Sequence, residues 1–356
     1  MKRAPILTGI VRRRLGRRGC GEREARTPVL QHRFSNLLVT GSLFDDPHSF
    51  RNKLAEALAA LAKDRIFIGT SSWKYEGWLD QIYTPSNYLY HGRFSKKAFE
   101  RECLREYAEI FPTVCGDFAF YQFPTEAFWQ RLFERAPAGF QFAFKVPEQI
   151  TCRLFPNNPR YGAQGGLENP SFLDSYLLHA EFLKPLEAYQ DRIAVLIFEF
   201  GAFAKGAFSS VAEFVERLDP FLAELPAHFR YAVEIRNEEL LDREYFACLR
   251  SHGVGHVFSA WAKMPELGAQ LAIPESITTD FIVSRALLRR GRKYEQAVQL
   301  FSPYKELRDP YPEVRASLRE LIERAREERR KAYIYVNNRI EGNAPETIMA
   351  VVDAAG

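Results

Sequence analysis

Residues 193–200 read IAVLIFEF, with six apolar positions in a row and a single carboxylate, Glu199, next to the end. An amphipathic helix would show polar residues at every third or fourth position, and a half-buried strand would alternate. A short, continuous run of branched and aromatic side chains is instead a strand covered on both faces, the habit of parallel sheets. The residues around it extend that reading. A helical stretch follows at 211–222 and another strand, YAVEIR, at 231–236.

The same rhythm runs in both directions. Strands are predicted at 65–73 (RIFIGTSSW), 113–121 (TVCGDFAFY), 140–146 (FQFAFKV), 255–261, 279–285 and 331–337 (KAYIYVN). Helices are predicted at 95–110, 125–135, 171–189, 243–252, 311–330 and 344–354. Eight strands separated mostly by helices imply the α/β class and a (β/α)8 TIM-type barrel. A doubly wound open sheet would usually place a Gly-rich phosphate turn after its first strand, and GxGxxG is absent. The weakest unit is 264–277, which is broken by proline and poor in helical pattern.

Ahead of the barrel, Leu54, Leu58 and Leu61 form one stripe in RNKLAEALAALAK, a good helix. The expected organisation is a basic tail over 1–30, an N-terminal helical extension over 31–64 and the barrel over 65–356. The tail holds Lys2, Arg3, Arg12, Arg13, Arg14, Arg17, Arg18, Arg23 and Arg26 against Glu22 and Glu24, and carries most of the net charge of +4. It could grip phosphates or target the chain, but Gly9, Gly16, Gly19, Gly21 and Pro28 interrupt it, so an unstructured tail is expected.

The 46% hydrophobic and 26% charged residues are ordinary for a globular chain able to bury a core. No apolar run reaches the ~20 residues of a membrane span. Five cysteines without a CxxC pair argue against a disulfide framework and suit a cytoplasmic protein.

Barrel enzymes place their working groups at the C-terminal strand ends. That rule selects Ser71 and Trp73 after the first strand, Asp117 and Tyr121 on the second, and Lys145 on the third. It adds Glu199 on the fourth, Glu234 and Arg236 on the fifth, Trp261 on the sixth, Arg285 on the seventh, and Asn337 and Asn338 on the eighth. Glu234 and Arg236 lie two apart and point the same way. They read as an acid/base carboxylate beside an anion-holding guanidinium, or as a structural ion pair. Lys145 reads as an anion ligand or an ion-pair partner of Glu199 or Asp117 ahead of a Schiff-base amine. Asn337 and Asn338 offer amides for sugar hydroxyls, a base edge or phosphate. Trp73, Trp78, Tyr121 and Trp261 could form an aromatic wall. The seven histidines make neither HxH nor HExxH, so no metal or other cofactor is expected; a Mg²⁺ site from Asp117, Glu199 and Glu234 is the leading metal alternative. The expected partner is a small anionic ligand such as a sugar phosphate or nucleotide fragment, with nucleic acid or a non-catalytic binding barrel as the alternative. The sequence does not speak to oligomeric state.

Four segments in order carry a family resemblance. IGTSSWKYEGWLDQIYTP (68–85), FQFAFKVPEQIT (140–151), AVEIRN (232–237) and YVNNRIEGNAP (335–345) together resemble the YecE-like family, domain of unknown function 72. The resemblance implies a TIM-type barrel without an assigned reaction. The chain departs from the family pattern at Cys115 and Asp117, at Glu199–Phe200–Gly201, and at Ala286–Leu287–Leu288 after Arg285.

Overall fold

The computed structural model describes residues 47–157, 159–204 and 206–353. The expected tail and the first part of the extension lie outside them. The helix of the extension is α1 (Pro47–Lys63), whose Phe50, Leu54, Leu58 and Leu61 are buried. It packs against the first barrel strand and the last helix.

The strands are β1 (Ile66–Thr70), β2 (Leu89–Tyr90), β3 (Arg93–Phe94), β4 (Thr113–Gly116), β5 (Gln141–Lys145), β6 (Ile193–Glu199), β7 (Tyr231–Glu234), β8 (Gly255–Ala260), β9 (Phe281–Ala286) and β10 (Lys331–Val336). The remaining helices are α2 (Lys96–Tyr107), α3 (Glu126–Glu134), α4 (Glu148–Thr151), α5 (Ser175–Leu178), α6 (Lys184–Leu186), α7 (Val211–Ala223), α8 (Arg243–Ser251), α9 (Leu267–Leu271), α10 (Tyr294–Phe301), α11 (Pro312–Glu327) and α12 (Ala344–Val352). Eight strands close a parallel barrel in the order β1-β10-β9-β8-β7-β6-β5-β4, while β2 and β3 form a separate antiparallel pair. The fold is the expected (β/α)8 type.

Alternation along the strands divides the side chains into two sets. Leu196, Phe198, Val233 and Ile334 face outward into the large core under the helices. Cys115, Ala143, Val195, Ile197, Ala232, Val257, Val283, Tyr333 and Tyr335 face inward and fill the barrel. Lower and middle interior positions are therefore apolar or tyrosine, which leaves the polar strand-end residues as the top layer.

The barrel closes by an unusual seam. β1 shares five register pairs with β10 but a single pair, Thr70 with Val114, with β4. The hydroxyl of Tyr107, the last residue of α2, bridges the gap. It accepts from the Thr70 N–H at 3.0 Å and donates to the Thr113 carbonyl at 3.1 Å. Gly69 is obligatory at this seam, because a Cβ there would lie 1.9 Å from the Thr113 carbonyl oxygen.

Three elements differ from the sequence reading. The expected strand 113–121 ends at Gly116 and turns into a 3-10 helix over Phe118–Tyr121. A Cβ at Gly116 would meet the Phe118 ring at 2.5 Å, so the ring folds back over the glycine and the chain leaves the sheet. Tyr121 therefore does not share an inward face with Asp117, and its ring is 54% exposed. The expected helix 171–189 is broken into α5, a π-turn, α6 and a 3-10 turn; Pro185 lacks the N–H that a regular helix would use. Helix α10 follows β9 in a stretch for which the sequence reading assigned no element.

Candidate functional site

The inward series at the C-terminal strand ends supplies Asp117 after β4, Lys145 from β5, Glu199 from β6, Glu234 from β7 with Arg236 just beyond it, Ser259 from β8 and Arg285 from β9. Register places Glu199 directly beside Glu234, and Ser259 beside Arg285. Two neighbouring buried carboxylates repel each other unless cations lie between them. Arg236 and Arg285 fill that role. Arg236 Nη2 lies 2.7 Å from Glu234 Oε1 and 3.0 Å from Glu199 Oε2. Arg285 Nη1 lies 2.6 Å from Glu199 Oε2 and also donates to Glu234 Oε2. Lys145 Nζ extends the lattice, 3.3 Å from both Glu199 and Asp117. Arg285 Nη2 reaches Asp117 at 3.6 Å. Ser259 Oγ donates to Glu234 Oε1 at 2.8 Å, and Gln270 from α9 clamps the Ser259 backbone through both its amide atoms.

These contacts set the protonation states. Burial opposes ionisation of Glu199, but Arg236, Lys145 and Arg285 overcome it and hold its carboxyl well below the usual range. Burial likewise opposes the charge on Lys145, yet Glu199 and Asp117 raise it above the ordinary ammonium value, so it is a cation at neutral pH. Burial pushes the Cys115 thiol below this layer up to about 12, so it stays a neutral wall. Each of Asp117, Glu199 and Glu234 already meets a cationic side chain, and a divalent metal there would have to displace Lys145, Arg236 or Arg285.

The predicted residues fall into distinct settings. Glu234 has no exposed surface and both its oxygens are occupied, whereas Glu199 borders open space. Asp117 is the most accessible acid, with its side chain 37% exposed. Trp261 lies under the Arg236 guanidinium, 3.7 Å from ring centroid to Cζ, and Phe120 lies equally close under Lys145 Nζ. Trp73 and Trp78 pack in the core, while Tyr121 lies outside it under Arg160. Between the strand ends and the loops after β5 and β6 is a cavity of about 620 Å³, lined by Glu199, Phe120, Thr151, Arg153 and Phe203 among others.

The wall formed by the ends of β1 and β10 is different. Ser71 Oγ and Asn338 Nδ2 are buried and have no hydrogen-bond partner. Asn338 Oδ1 accepts from Ala344 N at 2.7 Å and Asn337 Oδ1 from Arg339 N at 3.0 Å, so both amides shape the loop. Arg339 itself was missed by the strand-end rule because it lies in that loop. Its guanidinium stacks 4.7 Å from the Tyr294 ring, its Nε is buried without a partner, and it joins no ion pair among the described residues. Tyr75 is in the field of both Arg339 and Asp117. Burial raises its hydroxyl far above the usual phenol value, with Asp117 adding to the rise and Arg339 opposing it, so the hydroxyl keeps its proton.

A family model described as "protein of unknown function DUF72" matches residues 67–356. Among solved structures, a DUF72 family protein from Thermotoga maritima MSB8 is similar at 18% identity and a TM-score of 0.51, over 81% of this chain and 96% of that one. A DUF72 family protein from Enterococcus faecalis V583 is similar at 16% identity and a TM-score of 0.55, over 82% and 95%. At these identities the likeness shows the fold. No curated protein matches the chain. Among the described residues, no helix is long and apolar enough to cross a membrane.

Proposed function

We propose, from the premise that this chain belongs to the DUF72 family, that its barrel mouth is an enzyme site for a small polar molecule bearing an anionic group. One observation carries the reading. Ser71 Oγ, Thr151 Oγ1, Asn338 Nδ2, Arg153 Nη1 and the Nε atoms of Arg236, Arg285 and Arg339 are buried and have no hydrogen-bond partner among the described residues. All seven can donate, and all come from strand ends or the segments that follow them at the same end of the barrel. They outnumber the one unpartnered carboxylate oxygen of that layer, Asp117 Oδ1, which faces Lys145 and Arg285. Buried polar groups are normally satisfied. A ring of orphaned donors is matched by a ligand rich in acceptors, such as a phosphate, a carboxylate or a sugar derivative of either.

The roles follow from charge balance. Lys145, Arg236 and Arg285 are neutralised by Asp117, Glu199 and Glu234, so they add little net attraction for an anion. Among the described residues Arg339 and, beside the cavity, Arg153 join no ion pair; Arg339 is the one that grips the anion, with Tyr75, Ser71 and Asn338 as neutral donors. Glu199 and Lys145 then face the ligand body as an ionised carboxylate and an ammonium, suited to stabilising charge that develops on it. Glu234 acts as a positioning residue that holds Arg236 and Arg285.

The test is a thermal-shift and calorimetric screen with inorganic phosphate, sugar phosphates and nucleotides, each against wild type and Arg339→Ala. The expected result is a ligand that raises the wild-type melting point, with the rise lost in Arg339→Ala although that variant folds normally. An equal rise in both proteins removes Arg339 as the anchor. No rise with any anion, together with salt-steep binding of a polynucleotide, would replace a small-molecule site by a nucleic-acid one.

A further inference from the structure

On the outer helical layer, α7 and α8 bring together three side chains of a different character. Asp219 comes from α7, Cys248 from the last turns of α8, and His252 from the position that caps α8. Asp219 Oδ1 is 2.8 Å from His252 Nε2 and 3.8 Å from Cys248 Sγ, and the three ligand atoms all lie within 4.8 Å of one another.

We propose that Asp219, Cys248 and His252 form a binding site for a thiophilic divalent cation of the zinc class, with water completing the coordination. Ligand type is the first argument. One sulfur, one imidazole nitrogen and one carboxylate oxygen are the donors that Zn²⁺ takes, and the sulfur discriminates against Mg²⁺ and Ca²⁺. Spacing is the second. Bond lengths of ~2.0–2.3 Å to a tetrahedral ion put neighbouring ligand atoms roughly 3.3–3.8 Å apart. The sulfur–oxygen distance already has that value. The shorter His252–Asp219 contact opens when the carboxylate swings, and Asp219 is free to do so because its side chain is 54% exposed. Placement is the third. Cys248 and His252 are four residues apart, one helical turn, at the C-terminal end of α8, where the negative end of the helix dipole favours a cation. On binding, the cation replaces the Cys248 thiol proton, which leaves to solvent, and His252 ligates through the nitrogen that now faces Asp219.

The experiment uses the full chain, stripped with chelator and titrated with Co²⁺, followed by competition with Zn²⁺. The expected result is one equivalent of Co²⁺ with tetrahedral visible bands and a thiolate-to-metal charge-transfer band, displaced by Zn²⁺. Cys248→Ser should lose the charge-transfer band. His252→Gln, a change at a partly exposed cap, should weaken binding by at least the ~10–100-fold that even an outer-shell change costs. Absence of a charge-transfer band in wild type overturns the proposal. So does a band that persists in Cys248→Ser, or one of undiminished affinity in His252→Gln. Should Cys248→Ser fail to fold, His252→Gln and Asp219→Asn decide the question alone.

Discussion

The two walls of the barrel mouth answer the same problem in opposite ways. Along β5, β6, β7 and β9 every formal charge is cancelled by a neighbour, and Glu199 and Glu234 share two guanidiniums between them. Along β1 and β10, among the described residues, the charge of Arg339 has no acidic partner and the donors of Ser71 and Asn338 are unused. A cancelled charge rigidifies and positions; an uncancelled one is available to a ligand. Stability and binding should therefore separate by wall.

The largest expected effect is on the cancelled wall. Glu234→Ala leaves the buried Arg236 and Arg285 to share Glu199, and should cost about 3–5 kcal/mol in urea denaturation. A fully folded variant with an unchanged midpoint would show that the lattice is slack. Pairing Glu234→Leu with Arg285→Met removes one charge of each sign. The double variant should lose less than the two single changes added together, with a coupling on the order of 1–3 kcal/mol. Additive losses would mean that the two side chains do not act as a pair.

Acid should probe the same wall more gently. The folded-state value for Glu199 is depressed below its ordinary 4.5, so its contribution is present above pH 4.5 and is lost as pH falls through the folded value. Wild-type stability should decline below pH 4.5, and Glu199→Gln should flatten that limb. Lys145 behaves in the opposite sense. Its value is raised above 10.5, so its contribution is complete below pH 10.5 and fades only at higher pH. The smallest stability effect belongs to the uncancelled wall. Arg339→Ala should move the midpoint by no more than about 0.5 kcal/mol. A loss comparable to that of Glu234→Ala would erase the distinction between the walls.

Much of this arrangement was legible in the residues themselves. Period-two alternation and doubly buried runs such as IAVLIFEF reveal the barrel, and the strand-end rule then selects Lys145, Glu199, Arg236 and Arg285 without any coordinates. Two things were hidden. The apolar run FAFY looks like a strand, and only the packing of Phe118 over Gly116 turns it into a 3-10 helix and carries Tyr121 outward. Arg339 was hidden because a charged loop residue is usually solvated, and its lack of an acid is a property of its neighbours in space. The different settings of Glu234 and Glu199 were hidden for the same reason. Both are carboxylates at strand ends, and only exposure tells them apart.

The seam between β1 and β4 gives the barrel a direction that its circular topology conceals. Seven of its strand contacts are ladders, and the eighth is a clasp built from the Tyr107 hydroxyl and tolerated by the missing side chain of Gly69. Local openings begin where the fewest backbone hydrogen bonds must break. Deuterium should enter the β1–β4 line ahead of the other strand boundaries, and the ring should unroll from there as a sheet rather than come apart at random.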